Sequence, residues 1–340
     1  MNKRSATLTA LGVVLLLIGA WAAHRIAFDW HSLRIQLRSV AWVHVLLGIL
    51  CIYAGFWGRG MRWAVLLGPR QKTPWIALVS PQFVGFTAVA LFGRLADLAR
   101  PYLIARRTDT PIATQIAVYS IERIFDLAAA AILFSVTLAL APRDLSHHEA
   151  FARAGILSLA ATLGLAAFTL VVRFKGDRLA ALATHLLTPI SPKFAEVAAG
   201  RILDFRTGLY TLTSLREFFA ALALSLLIWL GIAESYVQSA HAMTATPQLA
   251  TLTFTQTMLL MATSMGGSLL QLPVLGWFTQ IALLAAALHA FFGAPIEAAT
   301  ACGVVILIVT SLGIVPAGLI AARLAGTTLR GAAQAAAKTS

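Results

Sequence analysis

Apolar runs long enough to cross a membrane dominate this chain, and short clusters of Arg and Lys separate them. A spanning helix needs about 20 mostly apolar residues, because about 30 Å of hydrocarbon is crossed at about 1.5 Å per residue. The runs that meet this are 7–27, 41–58, 112–141, 154–173, 217–238 and 298–322. Two further stretches, 75–93 and 249–292, are apolar but interrupted. The expected fold is therefore all-α: a polytopic transmembrane helical bundle of about 8 helices, with one or two re-entrant hairpins.

Composition agrees. Charged residues make up 11% of the chain and hydrophobic ones 59%, where a soluble domain carries about 25% charged residues. The net charge of +13 does not point to nucleic acid. Its basic residues flank apolar runs, which is how Lys and Arg orient membrane helices, and no zinc-finger or RRM signature is present. Cys51 and Cys302 both fall inside apolar runs, with no CxxC, and read as small core residues. No cofactor and no metal site is expected.

Charge also sets the expected topology. Lys3 and Arg4 precede 7–27, which reads as a retained first helix with a cytoplasmic start rather than a cleaved signal. Basic clusters at Arg59, Arg62, Arg70 and Lys72 and at Arg94, Arg100, Arg106 and Arg107 flank 75–93. Pro81, Gly85 and Gly93 suit a broken hairpin that enters and returns, leaving both clusters cytoplasmic. The basic stretch 174–216 reads as a cytoplasmic loop, and His147 and His148 as a solvated outer loop. From Glu234 to Glu297 no Asp, Glu, Lys or Arg intervenes, so this stretch holds two crossings or a hairpin broken near Gly266-Gly267 and Pro273 to Gly276. Within a single domain, 1–340, the stretches 41–141 and 217–322 then follow the same plan in opposite directions. Inverted repeats with interrupted helices mark transporter sites; the alternative is chance, since Gly and Pro are common in membrane helices. The expected location is a bacterial cytoplasmic (inner) membrane.

Arg94, Asp97 and Arg100 stand three residues apart, so a helix would place them on one face. Asp97 would steady both guanidinium groups and leave donors for phosphate oxygens. With Arg62 and Tyr102 they form a candidate lipid-headgroup site; the alternative is an ordinary basic loop. Thr110 and Pro111 suit a helix start as N-cap and first residue. Glu122 then lies roughly 16 Å along that helix, at hydrocarbon depth, where ionisable groups mark functional sites. Glu122, Arg123 and Asp126 form a candidate intramembrane charge network, with Arg123 able to serve Asp126 and Arg94 or Arg100 able to reach Glu122. A purely structural network is the alternative. In the second half, Gln271, Pro273, Gly276, Thr279 and Gln280 could line a path for a polar headgroup, or simply pack helix on helix. Glu234 either faces a cavity or snorkels to the interface.

Three motifs resemble one family in order and spacing. They are Trp57-Gly-Arg59-Gly-Met-Arg62-Trp63, then Gly93-Arg94-x-x-Asp97-x-x-Arg100-Pro-Tyr-Leu, then Glu122-Arg123-Ile-Phe-Asp126. They are similar to the lysylphosphatidylglycerol synthase transmembrane region family, the flippase-like proteins related to the flippase half of the multiple peptide resistance factor. The family commonly has Gly-Glu where this chain has Ala96-Asp97. Its second-half Gly-Gly-x-Gly turn and following Glu are replaced by Leu272-Pro273-Val-Leu-Gly276-Trp-Phe-Thr279-Gln280, so Gln280 supplies only neutral hydrogen bonds. The resemblance implies movement of an anionic phospholipid, or an isoprenoid- or polyprenyl-linked lipid, between leaflets. The membrane lipid is then the partner, with enzymes of lipid biosynthesis as further candidates. Synthesis of a lysyl-lipid is not expected, as the aminoacyl-transfer half has no counterpart here. No Walker A motif is present, so ATP hydrolysis is not expected. Ser264, Ser268 and His289 lack a G-x-S-x-G context, and no HExxH occurs. The alternatives to a transporter are an intramembrane lipid-modifying enzyme and an accessory subunit of a lipid-modifying complex.

Overall fold

The computed structural model describes residues 28–68, 73–140, 148–189, 191–209, 214–267 and 275–326, with 328, 329 and 331. The expected span 7–27, Arg70, Lys72, His147, Gln271 and Pro273 lie outside the described residues. Among the described residues every regular element is helical. In chain order these are α1 (Trp30–Arg38), α2 (Trp42–Leu67), α3 (Val79–Phe92), α4 (Ala99–Thr108), α5 (Ile112–Ala139), α6 (His148–Leu187), α7 (Pro192–Leu209), α8 (Leu215–His241), α9 (Pro247–Ala250), α10 (Phe254–Gly267), α11 (Leu275–Phe292), α12 (Ile296–Leu307) and α13 (Val315–Leu324). A 3₁₀ turn, Trp75–Leu78, leads into α3, another, Gly93–Ala96, follows it, and a π-turn, Ile308–Leu312, precedes α13. Among the described residues four continuous helical stretches are long and apolar enough to cross a membrane: Trp42–Leu67, Trp75–Phe92, Leu215–His241 and Ile296–Leu324.

Three expectations are corrected. The stretch 75–93 is not broken inside, because Pro81 falls in the first turn of α3, where its missing N–H leaves no bond unmade. The break comes at Gly93, whose φ of 72° suits a residue without a Cβ. The stretch 174–216 is helical over most of its length: α6 bends at Lys175 (φ −130°, ψ 25°), continues to Leu187, and α7 packs back on it. The helix after Thr110 begins at Ile112 with Pro111 as its cap residue and no side-chain cap. The Thr110 hydroxyl instead accepts a bond from Gln115 at 2.8 Å.

The chain divides into two compact units, each assembled from discontinuous stretches. One holds the described parts of Met1–Leu50, Ala90–Arg94 and Ala233–Gly313. Here α12 packs on α1 and α11, and α11 on α10. Small residues bring these helices close. A Cβ on Gly303 would meet the Ile281 carbonyl at 3.2 Å, and one on Gly48 would meet Val309 at 2.9 Å. Asp29 caps α1 by accepting from His31 N–H at 2.8 Å, while its own N–H donates to Glu297 at 3.1 Å.

The other unit holds the described parts of Cys51–Val89, Leu95–Ile232 and Ile314–Ser340. Its core gathers Trp63 and Leu66 of α2, Leu78, Ile104 of α4, Val118, Ile121 and Phe125 of α5, and Ala221 of α8. The Trp75–Leu78 turn contacts α4, and Arg100 of α4 packs on Gln82 and Gly85 of α3, although the turn at Gly93 lies between them in sequence, so α4 folds back along α3 as a helical hairpin. Gly318 lets α13 lie against Thr87 and the Phe83 carbonyl of α3.

Candidate functional site

The charged residues of this second unit converge. α5 presents Gln115, Val118, Glu122, Phe125 and Asp126 on its buried side, at the three- and four-residue spacing that forms one helix face. α2 brings Arg62 to that face and α4 brings Arg100. Arg62 is wholly buried and binds both acids: Nη2 donates to Glu122 Oε1 at 2.5 Å and Nη1 to Asp126 Oδ1 at 2.6 Å. Its Nη1 also donates to Ser225 of α8 at 2.7 Å. Arg100 Nη1 donates to Glu122 Oε1 at 3.2 Å and to Gln82 Oε1 of α3 at 3.0 Å. Arg123 pairs with Asp126 Oδ2 at 3.1 Å, and its side chain is 40% exposed. Trp229 of α8 completes the Asp126 shell at 3.3 Å.

Aromatic rings enclose the cations. The Arg100 guanidinium lies over Phe86 at 4.4 Å, Tyr119 at 5.1 Å and Trp63 at 5.4 Å. Arg59 lies over Phe86 at 4.7 Å, with no carboxylate in ion-pair range among the described residues. Such contacts stabilise a guanidinium removed from water but do not neutralise it. Trp63 is fixed in turn by donating to Gln115 at 2.9 Å.

Several donors are left over. Arg62 Nε, Arg100 Nη2 and Gln82 Nε2 are buried and have no hydrogen-bond partner among the described residues. A buried donor left unmade costs about 1–3 kcal/mol, more when charged. The arrangement can therefore accept oxygen atoms from an anionic group, and among the described residues no cluster of His, Cys, Asp and Glu suits a metal ion.

The sequence-predicted residues fall into three sets. Arg62, Arg100, Glu122, Arg123 and Asp126 come together. Arg94, Asp97 and Arg100 do not share a helix face, because 93–96 is a 3₁₀ turn and Asp97 sits in the bend before α4. Asp97 lies in hydrogen-bonding reach of Tyr119, the side chain of Arg94 is outside the described residues, and Tyr102 is half-buried on α4. Gly276, Thr279 and Gln280 lie on α11 in the first unit, where Gln280 and Tyr236 both donate to Ser264, at 3.1 and 2.8 Å. In that unit Glu234 accepts from Gln238 at 2.7 Å, and the Gln238 carbonyl accepts from His44 at 2.7 Å.

Sequence reasoning missed Gln82, Ser225 and Trp229. Gln82 carried a signal, as a lone amide in the apolar run from Trp75 to Phe92. Ser225 and Trp229 carried none, since Ser and Trp are ordinary in membrane helices and only the arrival of α8 beside α5 gives them a partner.

A search of curated proteins gives no match to this chain. The family described as Lysylphosphatidylglycerol synthase TM region matches residues 8–318, which include every charged residue of the buried site. The chain is a multi-pass membrane protein and belongs to the lysylphosphatidylglycerol synthase transmembrane region family.

Proposed function

We propose that this protein is a lipid transporter of the flippase type. It moves an anionic phospholipid, or an isoprenoid- or polyprenyl-linked lipid phosphate, between the leaflets of a bacterial cytoplasmic membrane. The observation that carries this reading is the surplus of buried donors. Arg62 and Arg100 are buried with Glu122 and Asp126, the partly exposed Arg59 and Arg123 add two further cations at the edge, and Arg62 Nε, Arg100 Nη2 and Gln82 Nε2 have no partner among the described residues. A buried donor without a partner carries a cost, larger for a charged one. A phosphate headgroup would offset it and accept from Arg62 Nε, Arg100 Nη2 and Gln82 Nε2.

The chain acts without an ATPase or aminoacyltransferase activity of its own in this reading. The inverted plan of 41–141 and 217–322 belongs to the same proposal, as does a cytoplasmic N-terminus. Enzymes that make the lipid are the natural partners.

The test is reconstitution of the full chain in liposomes with a dithionite-bleachable anionic lipid. The wild type should expose inner-leaflet label faster than empty liposomes. Arg100→Gln should slow this about tenfold or more, the equivalent of one charge-assisted hydrogen bond. Gln82→Leu removes a donor while leaving the ion pairs intact, and should slow transport with the protein still folded. Wild-type rates in both variants would sink the proposal.

A further inference from the structure

A second cationic feature lies outside the buried cluster. Ser80, Pro81 and Val84 of α3, Leu103, Arg106 and Arg107 of α4, and Ala325 after α13 line a cavity of about 150 Å³. The fold makes this space. Gly318 brings α13 against Thr87, and the Thr87 hydroxyl donates to the Ile314 carbonyl at 3.3 Å. Two helical turns beyond Gly318 the chain reaches Ala325, and two turns before Thr87 it reaches Ser80, so both ends come to the cavity.

Arg106 and Arg107 are exposed, and no carboxylate lies in ion-pair range of either among the described residues. Asp109, the nearest acid in sequence, is an exposed left-handed cap (φ 50°). The wall is mixed: two guanidinium groups and a hydroxyl, with an apolar part from Pro81, Val84, Leu103 and Ala325. Guanidinium forks match phosphate oxygens, and the apolar wall suits the carbon chain attached to them. A free inorganic ion would leave that wall unused.

The cavity also adjoins residues that hold the buried cluster. Arg100, Leu103 and Arg107 stand at i, i+3 and i+7, one face of α4. Pro81 and Val84 adjoin Gln82 and Gly85, the two α3 residues that Arg100 packs against.

We propose that this cavity is an entry subsite, where Arg106, Arg107 and Ser80 hold the phosphate of an anionic lipid before it reaches Arg100; the entry role rests on the transport reading above, the binding does not. The test is calorimetric titration of the full detergent-solubilised chain with dihexanoyl phosphatidate, with inorganic phosphate as competitor. The Arg106→Gln/Arg107→Gln double variant should bind at least about tenfold more weakly. Ser80→Leu, which fills the cavity without touching the arginines, should weaken binding in the same direction. Phosphate at equal concentration should not displace the lipid. Wild-type affinity in both variants, or displacement by inorganic phosphate, overturns the subsite. If the wild type moves no lipid between leaflets, the transport reading fails while the binding result stands. If the wild type transports and both variants bind and transport as well as it does, the subsite alone fails.

Discussion

Arg62 holds two acids with one side chain, and that geometry ranks the residues of the cluster. Removing one partner of a buried ion pair costs about 3–5 kcal/mol, because the other charge stays buried. Arg62→Ala strands both Glu122 and Asp126, so it should lower the thermal unfolding midpoint in detergent far more than Arg123→Ala. Arg123 is 40% exposed, and its loss leaves Asp126 still held by Arg62 and Glu122 by Arg62 and Arg100. Equal losses from the two variants would show that Arg62 is not the keystone. Gly85 is the other sensitive position, since a Cβ there would run into the Arg100 side chain. Gly85→Leu should therefore displace Arg100 and cost about 1–3 kcal/mol by overpacking. Much of this was legible from residue type. Costly charges inside an apolar run announced Glu122 and Asp126, and the i, i+3 spacing announced the Arg123–Asp126 pair. The choice of Arg62 as the common partner was not legible, because it depends on how α2 and α5 lie against each other across 60 residues of sequence.

At the scale of elements, the hairpin of α3 and α4 turns on Gly93. A residue with a Cβ in its left-handed conformation costs about 1–3 kcal/mol, so Gly93→Ala should lower the unfolding midpoint and loosen the protection of Arg100 backbone amide in hydrogen exchange. The helix ends carry a pH effect at α1. Hydrogen bonds from the Ser32 hydroxyl and the His31 N–H hold the Asp29 carboxyl below the usual carboxylate range. Its capping contribution is complete above the ordinary carboxylate pKa and fades as pH falls through the lowered value. Exchange of the first amides of α1 should therefore accelerate only in acid; a rise at neutral pH would point to another group. Element boundaries were well marked where apolar runs met charge, as for α5 and α8. They were misread where helix formers are also basic. The arm of α6 after Lys175 and α7 mix apolar residues with Lys, Arg and Asp and so look like loop, yet each buries one face on the other.

At the scale of the molecule, the hairpin fixes which ends lie on the same side. The Trp75–Leu78 turn contacts α4, so the start of the 75–92 helix and the end of α4 face the same way. Single cysteines at Thr73 and Arg107, in a chain with Cys51 and Cys302 replaced, should react with a membrane-impermeant maleimide from the same side. Labelling from opposite sides would rule out a folded-back α4. The all-helical, multi-pass class followed from run length and composition alone, because hydrocarbon leaves a backbone few options. The way the chain shares its residues between two discontinuous units did not follow, since it arises from contacts between helices far apart in sequence.

The bridge from Arg62 to Glu122 and Asp126 also has a consequence for biogenesis. Arg62 and Arg100 are synthesised before the two acids they hold, so they are available as partners when α5 emerges. A charge at a helix centre adds about 2.5–3.5 kcal/mol to the cost of insertion, and an ion pair formed during insertion would lower it. Arg62→Ala should then delay the insertion of α5, which glycosylation mapping of insertion intermediates would reveal.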